Sequence, residues 1–190
     1  MAGTKPSNAP AGKVWIKSIL ASLTWLLIFL TNEPGHLVRE WRTDFYAQPG
    51  AKAMMQLDAS VWGFGGVLLI DNVIVSWFSS PVSSADEQIH GLKRGDEKGQ
   101  QVWEALCLLM ALRLWTKFWT DKKLNITLKS DNMAALILVA RMKSNASPLI
   151  AKEVAYAMSR AAFQPRLIVH VPGVMNFIAD TLSRLSSHNN

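Results

Sequence analysis

Four acidic residues, far apart along the chain, have the types and settings from which metal-assisted chemistry could be built. They are Asp58, Glu104, Asp131 and Asp180, and each has apolar neighbours in the sequence. Burying a carboxylate is costly unless a cation or hydrogen bonds compensate. Four such positions therefore suggest a shared cation. Oxygen ligands suit Mg²⁺ or Mn²⁺, and two such ions about 4 Å apart can activate water and stabilise the leaving oxygen of a phosphodiester.

Each acid also has an ordinary explanation as a helix cap or as one half of a surface ion pair. Asp131 is predicted to lie between a strand and a helix, where a capping role explains it equally well. Capping does not explain acids that are predicted to lie inside a strand, as Asp58 does, or inside a helix, as Asp180 does. The four acids taken together therefore favour a site.

The composition is compatible with one folded domain that has an extension and a polyanionic partner. The hydrophobic content of 49% in 190 residues is ample for a packed core. The net charge of +6 suits a polyanion, although basic proteins have many other partners. The single cysteine, Cys107, excludes an internal disulfide and a cysteine-based zinc cluster, and its apolar surroundings predict a buried core residue. We expect an intracellular location, in the cytoplasm or the nucleus.

A nearly continuous apolar run at residues 14–30 precedes the acidic motifs. A signal peptide is one alternative, but no small-residue cleavage site follows the run. A membrane span usually needs about 20 apolar residues, and Lys17 interrupts this shorter run. A helix that packs against a partner is therefore favoured over a membrane anchor. We predict a disordered tail at 1–12, an apolar helix with a connector at 13–50, and the main domain at 51–187.

The main domain is predicted to alternate strands and helices in the order β, β, β, α, β, α, α, β, α. Asp71 and Asn72 separate two β-branched and aromatic runs, which predicts a tight hairpin. The polar, glycine-containing stretch at 79–101 predicts a loop with a surface insertion. The predicted strands are 54–58, 63–70, 73–78, 124–129 and 166–171, and the predicted helices are 101–119, 132–142, 148–162 and 174–185.

Four motifs surround the acids in a fixed order. Residues 57–68 read LDASVWGFGGVL, residues 104–112 read EALCLLMAL, and residues 130–136 read SDNMAAL. The most specific motif, at residues 169–184, reads VHVPGVMNFIADTLSR. Together they resemble the type 1 ribonuclease H family, specifically the ribonuclease H domain of gypsy-like or DIRS-like retrotransposon reverse transcriptases. The resemblance covers roughly residues 51–186.

This resemblance implies an α/β fold with a ribonuclease H-like mixed five-stranded sheet, three antiparallel strands followed by two parallel ones, flanked by helices. It also implies that Asp58, Glu104, Asp131 and Asp180 hold two Mg²⁺ ions, with Mn²⁺ as an alternative. The implied activity is cleavage of the RNA strand of an RNA–DNA hybrid. His170 matches the family's mobile histidine, which is thought to assist proton handling or product release.

Several interpretations remain open at this stage. Ser60 and Asn132 follow two of the acids and could bind substrate phosphates, but turn-forming hydrogen bonds explain them equally well. The glycines at 63, 65 and 66 indicate either strand twisting or the close approach of a nucleic-acid backbone. A polymerase signature is absent, so a polymerase domain or a polyprotein would be a partner. The alternative function is an inactive retroelement fragment that only binds nucleic acid.

Overall fold

The computed structural model describes residues 19–31, 50–120, 123–144, 146–161, 163–185 and 187. The chain divides into two compact units, residues 1–38 and 39–190. The predicted tail at 1–12 and most of the predicted connector lie outside the described residues, so those two predictions stay predictions.

In the first unit, helix α1 spans Leu20–Thr31. Its sequence, LASLTWLLIFLT, is apolar around most of its circumference, and the rings of Trp25 and Phe29 stack with centroids 5.0 Å apart. None of its residues is buried. In the described part of the chain, no helix is both long and apolar enough to cross a membrane.

The second unit contains a five-stranded sheet in the order β3-β2-β1-β4-β5. Strand β1 pairs antiparallel with β2, which pairs antiparallel with β3, whereas β1, β4 and β5 run parallel. The predicted mixed sheet is therefore confirmed. The strands are β1 (Ala51–Ala59), β2 (Gly63–Ile70), β3 (Val73–Pro81), β4 (Leu124–Ser130) and β5 (Leu167–His170).

The hairpin between β2 and β3 turns at the predicted residues. Asp71 and Asn72 have φ angles of 49° and 66°, the left-handed values that a two-residue type I′ turn needs at both central positions. Strand β1 begins earlier than predicted, at Ala51, because its first residues pair with the start of β4 at Leu124. A pattern read on one strand could not reveal that pairing.

Among the described residues, the second unit has five α-helices that alternate with or follow the strands: α2 (Ser84–His90), α3 (Gln100–Trp119), α4 (Met133–Arg141), α5 (Pro148–Arg160) and α6 (Phe177–Arg184). Helix α2 corrects the prediction of a loop at 79–101. Ser83 and Asp86 form a capping box at its start, and Gly91 ends it in the left-handed conformation. This capping chemistry forms a short helix where the apolar pattern is too weak to predict one.

The core lies between the sheet and α3. Alternate residues of β1, such as Met55 and Leu57, are buried on this side together with Trp103, Leu108 and Trp115 of the helix. Because successive strand residues point to opposite faces, Asp58 points away from this core. Cys107 is fully buried in α3, as predicted.

Helix α6 packs on β1, β2 and β3. A Cβ atom at Gly65 would overlap the backbone of α6 at Ala179 and Ser183, and would lie 2.8 Å from the Cβ of Leu182. A Cβ at Gly63 would lie 2.9 Å from the carbonyl oxygen of Ser183. The backbone that approaches these glycines is therefore that of the last helix, which neither of the two sequence interpretations named.

We predict that Gly65→Ala lowers the free energy of unfolding by about 3 kcal/mol, because the added methyl meets backbone that cannot rotate away. Gly91→Ala is the matched control. Its Cβ would meet nothing within 4 Å, so only the left-handed φ of 64° opposes it, and we expect a cost of about 1 kcal/mol. Urea denaturation measures both values. Equal costs for the two variants would contradict the packing of α6 on Gly65.

Candidate active site

Four elements bring the acids toward one edge of the sheet. Asp58 lies near the end of β1, and Asp131 directly follows β4. Because β1 and β4 are parallel neighbours, their carboxyl ends meet at the same edge, where sites in such sheets form. Glu104 lies near the start of α3, and Asp180 lies in α6. The acids predicted from sequence thus come from two strand ends and two helices.

Asp58 is buried, with 5% of its surface exposed. The pKa of its carboxyl group is raised to about 6. Burial is the largest cause, the hydrogen bond from Ser183 opposes it, and the negative charges of Asp131 and Asp180 add to it. The Ser183 hydroxyl donates that bond to Oδ2 over 2.5 Å. Sequence reasoning did not identify Ser183, although it lies three residues after Asp180, on the next turn of the same helix.

Glu104 is more deeply buried, with 3% of its surface exposed. Burial raises the pKa of its carboxyl group to about 8, and the negative charge of Asp58 raises it in the same direction. Gln100, one turn earlier on α3, donates a hydrogen bond of 3.1 Å to its Oε1 atom and another to the carbonyl oxygen of Ala59. Gln100 therefore ties this acid to the end of β1. Sequence reasoning did not identify Gln100 either.

Asp131 is held by Asn176 and lies beside His170. The Asn176 side chain donates hydrogen bonds to the carbonyl oxygen of Leu57, over 2.9 Å, and to Asp131 Oδ1, over 3.3 Å. The Asn176 side chain makes no capping bond to α6, so its amide connects the start of that helix to β1 and to Asp131 instead. His170 ends β5, is exposed, and has Nε2 3.0 Å from the backbone oxygen of Asp131.

Asp180 forms an ion pair with Arg184, one turn later on α6. The guanidinium Nε atom lies 2.6 Å from Asp180 Oδ1, and both side chains are partly exposed. The hydrogen bond to Asp180 raises the pKa of Arg184. The positive charge of Arg184 also lowers the pKa of Asp58. Arg184 is thus a counter-ion of the acidic cluster, and its i, i+4 spacing from Asp180 could have identified it.

The negative charges of Asp131 and Asp180 raise the pKa of Asp58, and those of Asp58 and Asp131 raise the pKa of Glu104. Across the described ranges, however, no three His, Cys, Asp or Glu side chains are close enough together to hold a metal ion. The donor set still fits a hard divalent cation in kind. In the part of the chain that the structure describes, the buried carboxylates of Asp58 and Glu104 lack a compensating positive charge between them, which a cation would supply. The Asn176 Oδ1 atom, a further oxygen donor, is buried without a hydrogen-bond partner among the described residues. The predicted metal ligation stays a prediction.

Ser60 and Asn132 have local roles that account for them. The Ser60 hydroxyl accepts hydrogen bonds from the backbone nitrogens of Trp62 and Gly63, over 3.2 and 3.1 Å, and donates one of 2.9 Å to the carbonyl oxygen of Ser183. Asn132 Oδ1 accepts a hydrogen bond of 2.7 Å from the Ala134 nitrogen and so caps α4. These contacts favour the turn-forming explanation, and substrate binding by either residue stays a prediction.

Comparison with known proteins adds to this geometry at the level of the fold. No family model and no curated protein matches the sequence. A ribonuclease H1, LC11, isolated from compost by a metagenomic approach, has a similar structure. The TM-score is 0.53 at 16% identity, over 75% of this chain and 98% of that one.

Two further solved structures have lower TM-scores. They are ribonuclease H1 from the archaeon Halobacterium salinarum (0.46, 17% identity, 74% of this chain and 98% of that one) and an N-terminal ribonuclease H domain from Mycobacterium tuberculosis (0.44, 14% identity, 69% and 95%). The similarity to the compost enzyme, together with the strand order and directions, shows that the second unit has the ribonuclease H-like α/β fold.

We predict that the protein without divalent ions loses stability as the pH rises. The pKa of Glu104 rises from 4.5 to about 8 on folding, so the folded state binds more protons than the unfolded state between these values. The stabilisation is complete below pH 4.5 and is lost as the pH rises to about 8. Urea denaturation in EDTA at several pH values measures the effect.

Glu104→Gln is the matched control, because it keeps the shape of the side chain and cannot ionise. Its free energy of unfolding should fall less steeply over the same pH range, since only the smaller contribution of Asp58 remains. At the alkaline end the variant should be more stable than the parent chain. The same pH dependence in both proteins would contradict a buried, electrostatically strained Glu104.

We predict that Arg184→Ala strengthens divalent-ion binding several-fold, because it removes a competing positive charge from Asp180. Arg184→Lys keeps the charge and should bind the ion about as well as the parent chain. Isothermal titration calorimetry with Mn²⁺ measures both affinities. Weaker binding by the alanine variant would mean that Arg184 positions Asp180 rather than competing for it.

Proposed function

We propose that this chain is a metal-dependent endonuclease that hydrolyses the RNA strand of RNA–DNA hybrids. One observation carries the proposal. Four acids, in the order and sequence settings of the type 1 ribonuclease H motifs, are directed by a ribonuclease H-like fold toward the carboxyl ends of β1 and β4. Burial and the negative charges of neighbouring acids raise the pKa values of Asp58 and Glu104 there.

Asp58, Glu104, Asp131 and Asp180 would hold two Mg²⁺ ions, or Mn²⁺ in their place. When bound, such ions supply an activated water and stabilise the leaving oxygen of a phosphodiester. Glu104 must give up its proton to act as a ligand, and its high pKa makes that release depend on a nearby positive charge. Asp180 would have to leave its ion pair with Arg184 to serve as a ligand.

Hydrogen bonds from the rest of the chain orient these carboxylates. Ser183 fixes Asp58, Gln100 fixes Glu104, and Asn176 fixes Asp131. Each donor lies on a helix that packs against the sheet or at its start, so the carboxylates keep their directions without a substrate. His170 is exposed beside Asp131, with Nε2 3.0 Å from its backbone oxygen, and would assist proton handling or product release, as its match to the family's mobile histidine implies.

The proposal extends to the origin of the chain as the ribonuclease H portion of a retroelement reverse transcriptase. The motif from His170 to Arg184 supports it, since its His-x-Pro-Gly and Ala-Asp-x-Leu-Ser-Arg elements resemble those of such domains. A polymerase domain would then be the partner, and α1 would be a remnant of the thumb or connection region. An intracellular location, in the cytoplasm or nucleus, accompanies this proposal.

A second candidate, an inactive fragment that only binds nucleic acid, is favoured by one observation. In the described part of the chain the acids do not close to metal-binding distance, and Asp180 is occupied by Arg184. An inactive chain would keep this arrangement when divalent ions are added. The two candidates therefore differ in what Mg²⁺ does.

We predict that the purified chain cleaves a labelled RNA–DNA hybrid in Mg²⁺ and does not cleave it in EDTA. Asp131→Asn should lower the rate about a hundredfold or more, because a charged ligand is lost where charge develops in the reaction. Glu153→Gln, an acid on α5 that pairs with Arg113, is the matched control and should keep the parental rate. Double-stranded DNA of the same sequence should remain intact.

Hybrid binding without cleavage, in Mg²⁺ and in Mn²⁺, would favour the inactive fragment. Cleavage that persists in Asp131→Asn would point to a contaminating nuclease and would remove the support for this site. Anisotropy of the same labelled hybrid distinguishes a chain that fails to bind from one that binds and fails to cut.

A further inference from the structure

A basic cleft of about 480 Å³ lies on the sheet, and none of the four acids lines it. Its polar lining is formed by Lys52, Asn72, Asn125, Thr127, Lys129 and Arg166. Among the described residues, none that lines the cleft is acidic, and no ion pair involves any of its three cations. The carboxylate of Asp71 lies nearby, where it accepts a hydrogen bond of 3.1 Å from the Lys52 backbone nitrogen.

Strand β4 explains why this cleft is polar. Ile126 and Leu128 are buried in the core, whereas Asn125, Thr127 and Lys129 alternate with them on the opposite face and stay partly exposed. Strand β4 is an interior strand, between β1 and β5. An interior strand in a parallel arrangement is usually apolar on both faces. The polar face of β4 therefore indicates a surface that faces solvent or a charged partner.

The cleft lies in line with the acids along the same strands. Lys129 precedes Asp131 by two residues, so at about 3.3 Å per residue their positions are about 7 Å apart. Lys52 precedes Asp58 by six residues on the same face of β1, which corresponds to about 20 Å. At about 3.4 Å of axis per phosphate of a duplex strand, this track spans about six nucleotides.

We propose that this basic cleft binds the phosphate backbone of the nucleic acid beyond the scissile position. The inference rests on the proposed function for the identity of the nucleic acid as an RNA–DNA hybrid. Lys52, Lys129 and Arg166 neutralise phosphates, and Asn125 and Thr127 contribute polar contacts between them. Such contacts depend on charge and spacing, and they carry no base specificity.

The test compares two triple variants in the Asp131→Asn background, in EDTA, so that binding is measured without cleavage. One combines Lys52→Ala, Lys129→Ala and Arg166→Ala. The other combines Arg141→Ala, Lys143→Ala and Arg160→Ala, which removes the same charge from exposed positions in or next to α4 and α5. Anisotropy of a labelled hybrid of about 18 base pairs, from about 50 to 200 mM salt, gives the affinity and its salt dependence.

The cleft variant should bind about tenfold or more weakly, and the slope of log K against log salt should become shallower by about 2 to 3, since each lost phosphate contact removes about 0.9. The control triple should change the slope by less than about 1. Equal effects of the two triple variants would overturn the proposal. Unchanged affinity of the cleft variant would also overturn it, and is the result expected if the cleft binds a protein instead. The double variant Lys52→Ala and Arg166→Ala repeats the test at exposed positions only, so that the half-buried Lys129 stays unchanged and folding is not disturbed there.

Cleavage of the hybrid by the parent chain tests the proposed function separately. Weaker binding by the cleft variant supports the cleft even if the parent chain never cuts. Cleavage by the parent chain together with unchanged binding by the cleft variant would contradict only the proposed role of the cleft and would leave the proposed function supported.

Discussion

The repulsion among buried carboxylates is the constraint on which the rest of this structure depends. Asp58 and Glu104 are almost fully buried, so ionising either is costly, and the negative charge of Asp58 raises the cost of ionising Glu104 further. A protein keeps such a pair only where something compensates the charge. In this chain the compensation is partial. Hydrogen bonds from Ser183 and Gln100, protonation of Glu104, and the positive charge of Arg184 each supply some of it, and a divalent cation would supply the remainder.

The fold holds these groups together through a few close contacts. Parallel pairing of β1 with β4 brings Asp58 and Asp131 to one edge of the sheet. Because residue 65 is a glycine, the backbone of α6 can approach β2 closely. This approach brings Asp180 and Ser183, which lie on α6, toward β1. Asn176, fully buried at the start of that helix, connects β1 to Asp131. Strand pairing, a missing side chain and one buried amide thus determine the geometry of the acids.

The sequence predicts the parts of this arrangement that local patterns specify. The strand alternation, the Asp71-Asn72 hairpin and the long α3 follow from periodicity and turn chemistry, and the structure confirms them. Helix α2 was missed because its capping box, rather than an apolar stripe, defines it. Gln100 was missed because a polar residue one turn from an acid has no distinctive signal until the acid is known to be buried. Arg184 was missed although its i, i+4 spacing from Asp180 could have identified it. The basic cleft was missed because its cations come from three separate segments.

The central claim is that the four acids share divalent ions, and a crystal structure with Mn²⁺ tests it most directly. The account predicts anomalous density in contact with Asp58, Glu104, Asp131 and Asp180, and an Asp180 side chain released from Arg184. Density elsewhere only, with the Asp180–Arg184 pair intact, would contradict the account and leave the chain a nucleic-acid-binding fold without a catalytic centre.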